Sequence, residues 1–174
     1  MKIGIISDTH DNLPQIRKAV EVFNREKVDL VLHAGDFVSP FTALEFKALN
    51  CPFTGIFGNN DGDKLYLREK YKEIGELYPA PYNVSINSKN IIMLHKEKLI
   101  DALAEGQIYN VIIYGHTHQT DLRKIGKTLI INPGECGGWL SGKSTIALLD
   151  LKNLEAKIIE LAHSGWRLAC CRGV

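Results

Sequence analysis

Asp8 and His10 set a carboxylate and an imidazole two positions apart, directly after a short apolar run from Lys2 to Ser7 dominated by Ile3, Ile5 and Ile6. Four further apolar runs end in side chains of the same kind. Asp29 to Leu32 leads into His33-Ala34-Gly35-Asp36, and Phe53 to Phe57 leads into Gly58-Asn59-Asn60-Asp61. Two later runs end in His95 and in Gly115-His116-Thr117-His118. A lone Asp or His at such a position more often caps a helix or closes a turn. The repetition is what points to metal binding. Neutral imidazoles with carboxylates suit Mn, Fe(II), Zn or Ni, and the lack of thiolates among them argues against a structural zinc site. Seven or eight such donors are too many for one ion. They suit two ions that share a bridging carboxylate.

The elements that must position these groups follow from the apolar patterning. Short Ile- and Val-rich runs are the composition of buried parallel strands. In an open α/β sheet, ligands bind outside the carboxyl ends of the strands, which is where the Asp and His residues fall. Ile16, Ala19, Val20 and Phe23 recur at a helical period within Leu13 to Lys27, with Pro14 in the first turn where a missing N–H does no harm. The loop Phe37-Val38-Ser39-Pro40 leads into a second helix reaching about Leu49, and Lys64 to Ile74 reads as a charged surface helix. Pro79 and Pro81 break the chain before a hairpin, Val84 to Ile86 and Asn90 to Leu94, around Asn87-Ser88-Lys89. Ile100 to Ala104 is a short helix and Val111 to Tyr114 a further strand. From Leu122 the pattern becomes mostly antiparallel β: Leu122 to Ile125, Thr128 to Ile131, Thr145 to Leu151 and Ala156 to Leu161. An α/β fold of two sheets packed face to face and flanked by helices satisfies both halves.

At 174 residues the chain reads as one domain over 1–162, long enough to bury roughly 70% of its unfolded surface. Residues 163–174 show no period and read as a tail of uncertain order. The formal net charge of +1 argues against a generally basic nucleic-acid-binding surface. No apolar run approaches the ~18 residues of a membrane span, and no signal-peptide cleavage region follows the start, so a cytoplasmic protein is expected. Cys51, Cys136, Cys170 and Cys171 match neither a zinc knuckle nor a disulfide framework and read as reduced thiols. Cys171-Arg172-Gly173-Val174 lacks the aliphatic pair of a prenylation box.

Taken together, Asp8-x-His10, Gly35-Asp36, Gly58-Asn59-x-Asp61, His95 and Gly115-His116-Thr117-His118 resemble the motif series of the calcineurin-like metallophosphoesterases. The likeness is to the small bacterial and archaeal phosphodiesterase branch with SDTH, GNND and NPGE-type signatures, and it covers roughly residues 1 to 160. It implies the four-layer metallophosphoesterase sandwich and a phosphodiesterase acting through a metal-activated hydroxide. Carried over by motif position, Asp8, His10, Asp36 and His118 would hold one divalent ion, and Asp36, Asn59, His95 and His116 the other, with Asp36 bridging. Mn²⁺ is the first expectation, with Ni²⁺, Fe²⁺, Zn²⁺ and Mg²⁺ as others. The substrate would be a small phosphodiester. Relatives of this size often form homodimers, although no apolar stripe marks an interface.

Two positions depart from that pattern. Asn60 stands where many phosphomonoesterases of the superfamily carry a His that protonates the leaving group. An Asn cannot donate that proton, at a cost of about 10²–10⁴-fold for poor leaving groups. Lys96 stands where relatives usually have Gly. Its Cβ would disturb His95 if the backbone there needs φ > 0; otherwise its ammonium could reach a substrate phosphate, or it is simply a solvated loop residue. His33 reads as a packed or supporting histidine. Asn132-Pro133-Gly134-Glu135 resembles a family loop near the site, either a line of N–H groups along a phosphate path or a plain tight turn. Gly137 to Ser144 satisfies the G-x-x-x-x-G-K-[ST] pattern, but the residues after Ser144 read as a strand, so no phosphate-binding helix follows.

Two other functions compete. The retromer scaffold subunit of eukaryotes resembles the same fold and binds partners with little or no catalysis. The related repair nucleases carry additional DNA-binding segments, of which this chain shows none. Retention of a competent donor at all seven ligand positions favours the enzyme. Specificity is expected in the loops around 60 to 82 and 96 to 110, with Tyr66, Tyr71, Tyr82 and several lysines.

Overall fold

Two mixed β-sheets lie face to face in the computed structural model, which describes residues 1–162. The first sheet has the order β11-β10-β1-β2-β3-β4. Its parallel part is β1 (Lys2–Ile6), β2 (Leu30–His33), β3 (Phe53–Ile56) and β4 (Gly75–Tyr78). The hairpin of β10 (Thr145–Asp150) and β11 (Glu155–Glu160) adds antiparallel to β1. The second sheet, β5-β6-β7-β9-β8, has β6 (Lys89–Met93), β7 (Val111–Ile113) and β9 (Thr128–Pro133) in parallel, with β5 (Tyr82–Ile86) and β8 (Thr120–Ile125) antiparallel at its edges.

Strand alternation divides the apolar side chains among three interfaces. Ile3 and Ile5 of β1 face Ile91, Met93 and Ile113 between the sheets. Ile6 turns the other way, toward Phe23, Phe46 and Tyr71 in the layer of α1 (Leu13–Arg25), α2 (Ala43–Phe46) and α3 (Lys64–Tyr71). Ile92, Ile112 and Ile130 pack outward on Ile100 and Ala104 of α4 (Ile100–Glu105). Three interfaces make the four layers, helix–sheet–sheet–helix, of the expected sandwich.

Most elements fall where the patterning places them, with local differences. The Asn12 side chain accepts from Gln15 N–H to cap α1, and Pro14 sits in its first turn. The second helix is shorter than expected: a 3₁₀ turn, Pro40–Thr42, precedes the four residues of α2. Ser39, at the N-terminus of that turn, spends its hydroxyl on Asp11 instead of capping. The third helix stops at Tyr71, and Gly75–Tyr78 forms a parallel edge strand too short for its alternation to show in the sequence. The two-residue turn Asn87-Ser88 has φ of 47° and 61°, the primed geometry that matches strand twist. The second half is mostly antiparallel, as expected: β8 with β9, β10 with β11 and β10 with β1 all pair that way, while β9 also joins β7 in parallel. Cys51 and Cys136 are free. Cys170, Cys171 and the expected tail lie outside the described residues.

Candidate metal centre

Every parallel strand that lies inside a sheet delivers its following loop to one end of the molecule. After β1 come Asp8 and His10, after β2 Gly35-Asp36, after β3 Gly58-Asn59, after β6 His95, and after β7 His116 and His118. The loops are laced together by main-chain hydrogen bonds, Asp8 N–H to Gly35 O at 3.0 Å and Thr9 N–H to Asp36 O at 3.0 Å. That lacing holds five of the seven side chains on left-handed backbone: Asp8 (φ 52°), His10 (41°), Asp36 (61°), His116 (70°) and His118 (59°). Non-glycine residues in such conformations cost of order 1–3 kcal/mol each and persist where the surroundings over-determine them. Gly115 is needed for close approach, since a Cβ there would overlap Ser7 Oγ and stand 2.7 Å from Asp8 Oδ2.

The donors gather in two groups, Asp8-His10-His118 and Asp36-His95-His116. In the first, His10 Nε2 lies 3.3 Å from His118 Nε2 and 3.8 Å from Asp8 Oδ1, with His118 Nε2 3.6 Å from Asp8 Oδ1. In the second, His95 Nε2 lies 3.3 Å from Asp36 Oδ2 and 3.1 Å from Asn59 Oδ1. Asp36 Oδ2 is also 3.6 Å from His10 Nε2, so one oxygen faces both groups. Two donors each about 2.1 Å from one ion stand about 3.0–3.4 Å apart at tetrahedral to right angles. These spacings fit ion binding after small adjustment.

The hydrogen bonding gives the same answer. His95 Nδ1 lies 2.9 Å from the Ala34 carbonyl, an acceptor only, so Nδ1 carries a proton. Nε2 of the neutral ring then presents a lone pair to two more acceptors, Asn59 Oδ1 and Asp36 Oδ2. A second proton or a cation must reconcile them. His118 Nδ1 faces Glu135 Oε2 at 3.4 Å, which favours the tautomer that frees Nε2. Burial pushes the Asp8 carboxyl up. Burial would raise Asp36 as well, but His95 and the two Asn60 hydrogen bonds outweigh it and hold Asp36 well below the usual carboxylate range. A buried, readily ionised carboxylate between imidazoles suits a bridging ligand.

Several residues hold this arrangement from behind. Buried Asp61 accepts from Gly58 N–H (2.7 Å), Val38 N–H (2.8 Å) and Asp36 N–H (3.1 Å), tying the loops after β2 and β3 together. Asn60 donates its backbone N–H to Asp36 Oδ1 at 2.8 Å and its amide to Oδ2 at 2.7 Å, so it orients Asp36. His33 accepts from Gly35 N–H at 3.1 Å, meets Thr9 Oγ1 at 3.3 Å and stacks on Phe37 with ring centroids 3.7 Å apart. Burial holds it far below the ordinary histidine range, as a neutral supporting ring. Glu135 accepts from the N–H groups of Trp139, Leu140 and Ser141 at 2.7 to 3.2 Å. Cys136 and Gly137 donate theirs to Ser7 O and Asp8 O. The loop after β9 therefore turns these N–H groups inward, and they do not line a phosphate path. The strand β10 begins directly after Ser144, as the rejection of the nucleotide-loop pattern requires.

Lys96 is not among the residues with positive φ, so its Cβ imposes no strain on His95. It is exposed beside Asn59 and His95 on the wall of a cavity. Tyr71, expected in a specificity loop, is fully buried among aromatic side chains with its hydroxyl 3.0 Å from Thr42 Oγ1. Tyr82 stacks on Tyr78. The supporting roles of Asp61 and Glu135 had only a weak signal in the sequence, an acid closing a Gly-containing turn.

Residues 1–154 match the family model of the calcineurin-like phosphoesterase superfamily domain. A phosphodiesterase of Methanocaldococcus jannaschii is 42% identical over 165 residues, 92% of this chain and 99% of that protein. The solved structure of an archaeal phosphodiesterase superposes with a TM-score of 0.87 at 42% identity, covering 92% of this chain and 100% of that one. The zinc complex of Vps29 from Entamoeba histolytica superposes with a TM-score of 0.66 at 19% identity, over 92% and 91% of the two chains, a likeness of fold alone. No helix among the described residues is long and apolar enough to cross a membrane.

Proposed function

The chain belongs to the calcineurin-like phosphoesterase superfamily, and from that premise we propose that it is a phosphodiesterase working with two divalent ions. The observation that carries this reading is the position of Asp36 Oδ2, 3.6 Å from His10 Nε2 and 3.3 Å from His95 Nε2. Asp8, His10, Asp36 and His118 would hold one ion, and Asp36, Asn59, His95 and His116 the other. Two divalent ions bound there supply a water of lowered pKa for in-line attack and a clamp on the phosphoryl oxygens. Imidazole, carboxylate and amide donors without thiolate suit Mn²⁺, Fe²⁺, Zn²⁺ or Ni²⁺, and Mn²⁺ is the first of these on the family resemblance.

The chain's own residues set what chemistry the site favours. Asn59 contributes a neutral oxygen, which limits the negative charge facing an anionic diester. Ala34 O holds His95 with Nε2 free, and the Glu135 carboxylate 3.4 Å from His118 Nδ1 favours the same tautomer there. Asn60 is bound to Asp36 and has no proton to give a leaving group, so diesters with stable leaving groups are favoured over monoesters. A partner-binding role without catalysis is the less supported reading, because it needs none of the seven donors, and all seven converge.

Hydrolysis of bis(p-nitrophenyl) phosphate and of p-nitrophenyl phosphate, in EDTA and with added Mn²⁺, tests the reading. Turnover is expected only with metal, faster for the diester, and lost in Asp36→Ala and His118→Ala proteins that keep the wild-type circular dichroism. Activity that survives in EDTA, or in both variants, overturns it.

A further inference from the structure

Asn59 and His95 border the cavity that Lys96 lines, 320 Å³ in volume, and His118 is not part of its lining. Phe57, Pro81 and Leu99 give it an apolar lining, and Lys96 and Lys98 give it two ammonium groups. Both lysines are exposed, and neither forms an ion pair among the described residues. Leu99 is 60% exposed although it lies next to the start of α4, so the apolar lining reaches the cavity mouth. Lys64 and Arg68 stand 5.8 and 5.9 Å from the centroid of the Phe57 ring and add further positive charge on this side. A mixed apolar and doubly cationic cavity beside the ion-binding residues is not needed to hold the scissile phosphate. It suits a substrate group that carries apolar surface and negative charge together.

We propose that this cavity binds one ester arm of the substrate, and that the arm is a nucleoside bearing a further phosphate: the base against the exposed Pro81 and Leu99, the phosphate on Lys96 and Lys98. The inference rests on the phosphodiesterase reading above and names its substrate class. The cavity lies near the lower end of the roughly 300–1,000 Å³ typical of ligand pockets. That is room for a single nucleotide arm, not for a folded polymer. Because Asn59 and His95 line the same cavity, an ester arm leaving the ion site on this side enters it directly. Lysines there act as point charges toward a phosphate and tolerate some variation in its position. An uncharged arm would gain nothing from the two ammonium groups, which are exposed to water.

The isolated arm tests the subsite without the ions. Thymidine 3′-monophosphate is titrated into the protein in EDTA at fixed ionic strength and followed by NMR. The expected result is saturable binding with shifts centred on Phe57 and on residues 94–99, about tenfold tighter than thymidine alone. In Lys96→Ala/Lys98→Ala that preference disappears. It persists in Lys127→Ala/Lys152→Ala, which makes the same charge change at two turns at the opposite ends of the sheets. No saturable binding, shifts elsewhere, equal affinity for thymidine, or loss of the preference in both double variants overturns the proposal. With Mn²⁺, thymidine 3′-phosphate 5′-(p-nitrophenyl phosphate) is expected to show a KM about tenfold below that of thymidine 5′-(p-nitrophenyl phosphate), again only with both lysines present. Absence of turnover with intact binding of the arm refutes the phosphodiesterase reading and leaves the subsite standing. Turnover without any effect of the 3′-phosphate does the reverse.

Discussion

Replacing Glu135 by Gln alters one atom in a fully buried carboxylate and separates its roles. Oε1 accepts from Trp139 N–H at 2.7 Å, while Oε2 accepts from Ser141 N–H and the Ser141 hydroxyl, both at 2.9 Å, and from Leu140 N–H at 3.1 Å. A Gln oxygen placed at the Oε2 position leaves its NH₂ facing Trp139 N–H, donor against donor. A buried donor left unsatisfied costs about 1–3 kcal/mol, and each remaining bond loses about 1 kcal/mol on passing from charged to neutral acceptor. Relief of the desolvation of a buried charge offsets part of this, for a net loss of about 2–4 kcal/mol. In a domain of this size that lowers Tm by roughly 5–12 °C. The sign with pH is fixed by the pKa. Burial would raise Glu135, but the Ser141, Leu140 and Trp139 donors outweigh it and hold it low. The stabilisation is therefore present above the unfolded value, about 4.3, and is lost as pH falls through the folded value. Thermal unfolding in EDTA from pH 7 to pH 3 should show the gap between wild type and Glu135→Gln closing below about pH 4. Since Glu135 also faces His118 Nδ1, the Mn²⁺ concentration giving half-maximal activity should rise about 10–100-fold. A Tm within about 1 °C of wild type at pH 7, or a gap constant with pH, would refute the account.

Two further substitutions probe the loops around the centre. Gly115→Ala forces a Cβ against Ser7 Oγ and Asp8 Oδ2; overpacking of this kind costs about 1–3 kcal/mol. Because the clash involves Asp8, the Mn²⁺ requirement should rise as well, and a variant with wild-type stability and metal response would contradict the close approach. His33→Phe keeps the stack on Phe37 but leaves Gly35 N–H without its acceptor, for a loss of about 1–3 kcal/mol at pH 7. Because burial keeps native His33 neutral while the unfolded ring protonates near pH 6.5, the wild type loses up to about 2 kcal/mol between pH 6.5 and 5 that the variant does not. Urea unfolding in EDTA should show the difference between the two narrowing over that range; a widening difference would mean that His33 is charged in the fold.

The identity and order of the candidate ion-binding side chains that the structure brings together were legible in the sequence, because the signal is local. An apolar run that must be buried ends where polar residues begin, and in a parallel sheet those ends share one edge. Asp8, Asp36, Asn59, His95 and His116 each announce themselves in that way, whereas a run as continuous as Ile5-Ile6 does not say which interface each side chain enters. The short strand β4 and the truncated second helix escaped, since four residues carry too little period to outweigh their neighbours. Tertiary structure alone decided which donors meet. His10 and His118 are 108 positions apart and lie 3.3 Å from each other only because β7 sits in the second sheet opposite β1 in the first. It also decided what the loops do with their hydrogen bonds. Glu135 could have ended a plain turn or left its neighbours' N–H groups for a phosphate, and burial settled the matter by making those donors find an acceptor inside. Lys96 shows the same division: its charge was readable from its name, but its freedom from strain and its place on a cavity wall depend on the path of a backbone that no local pattern specifies.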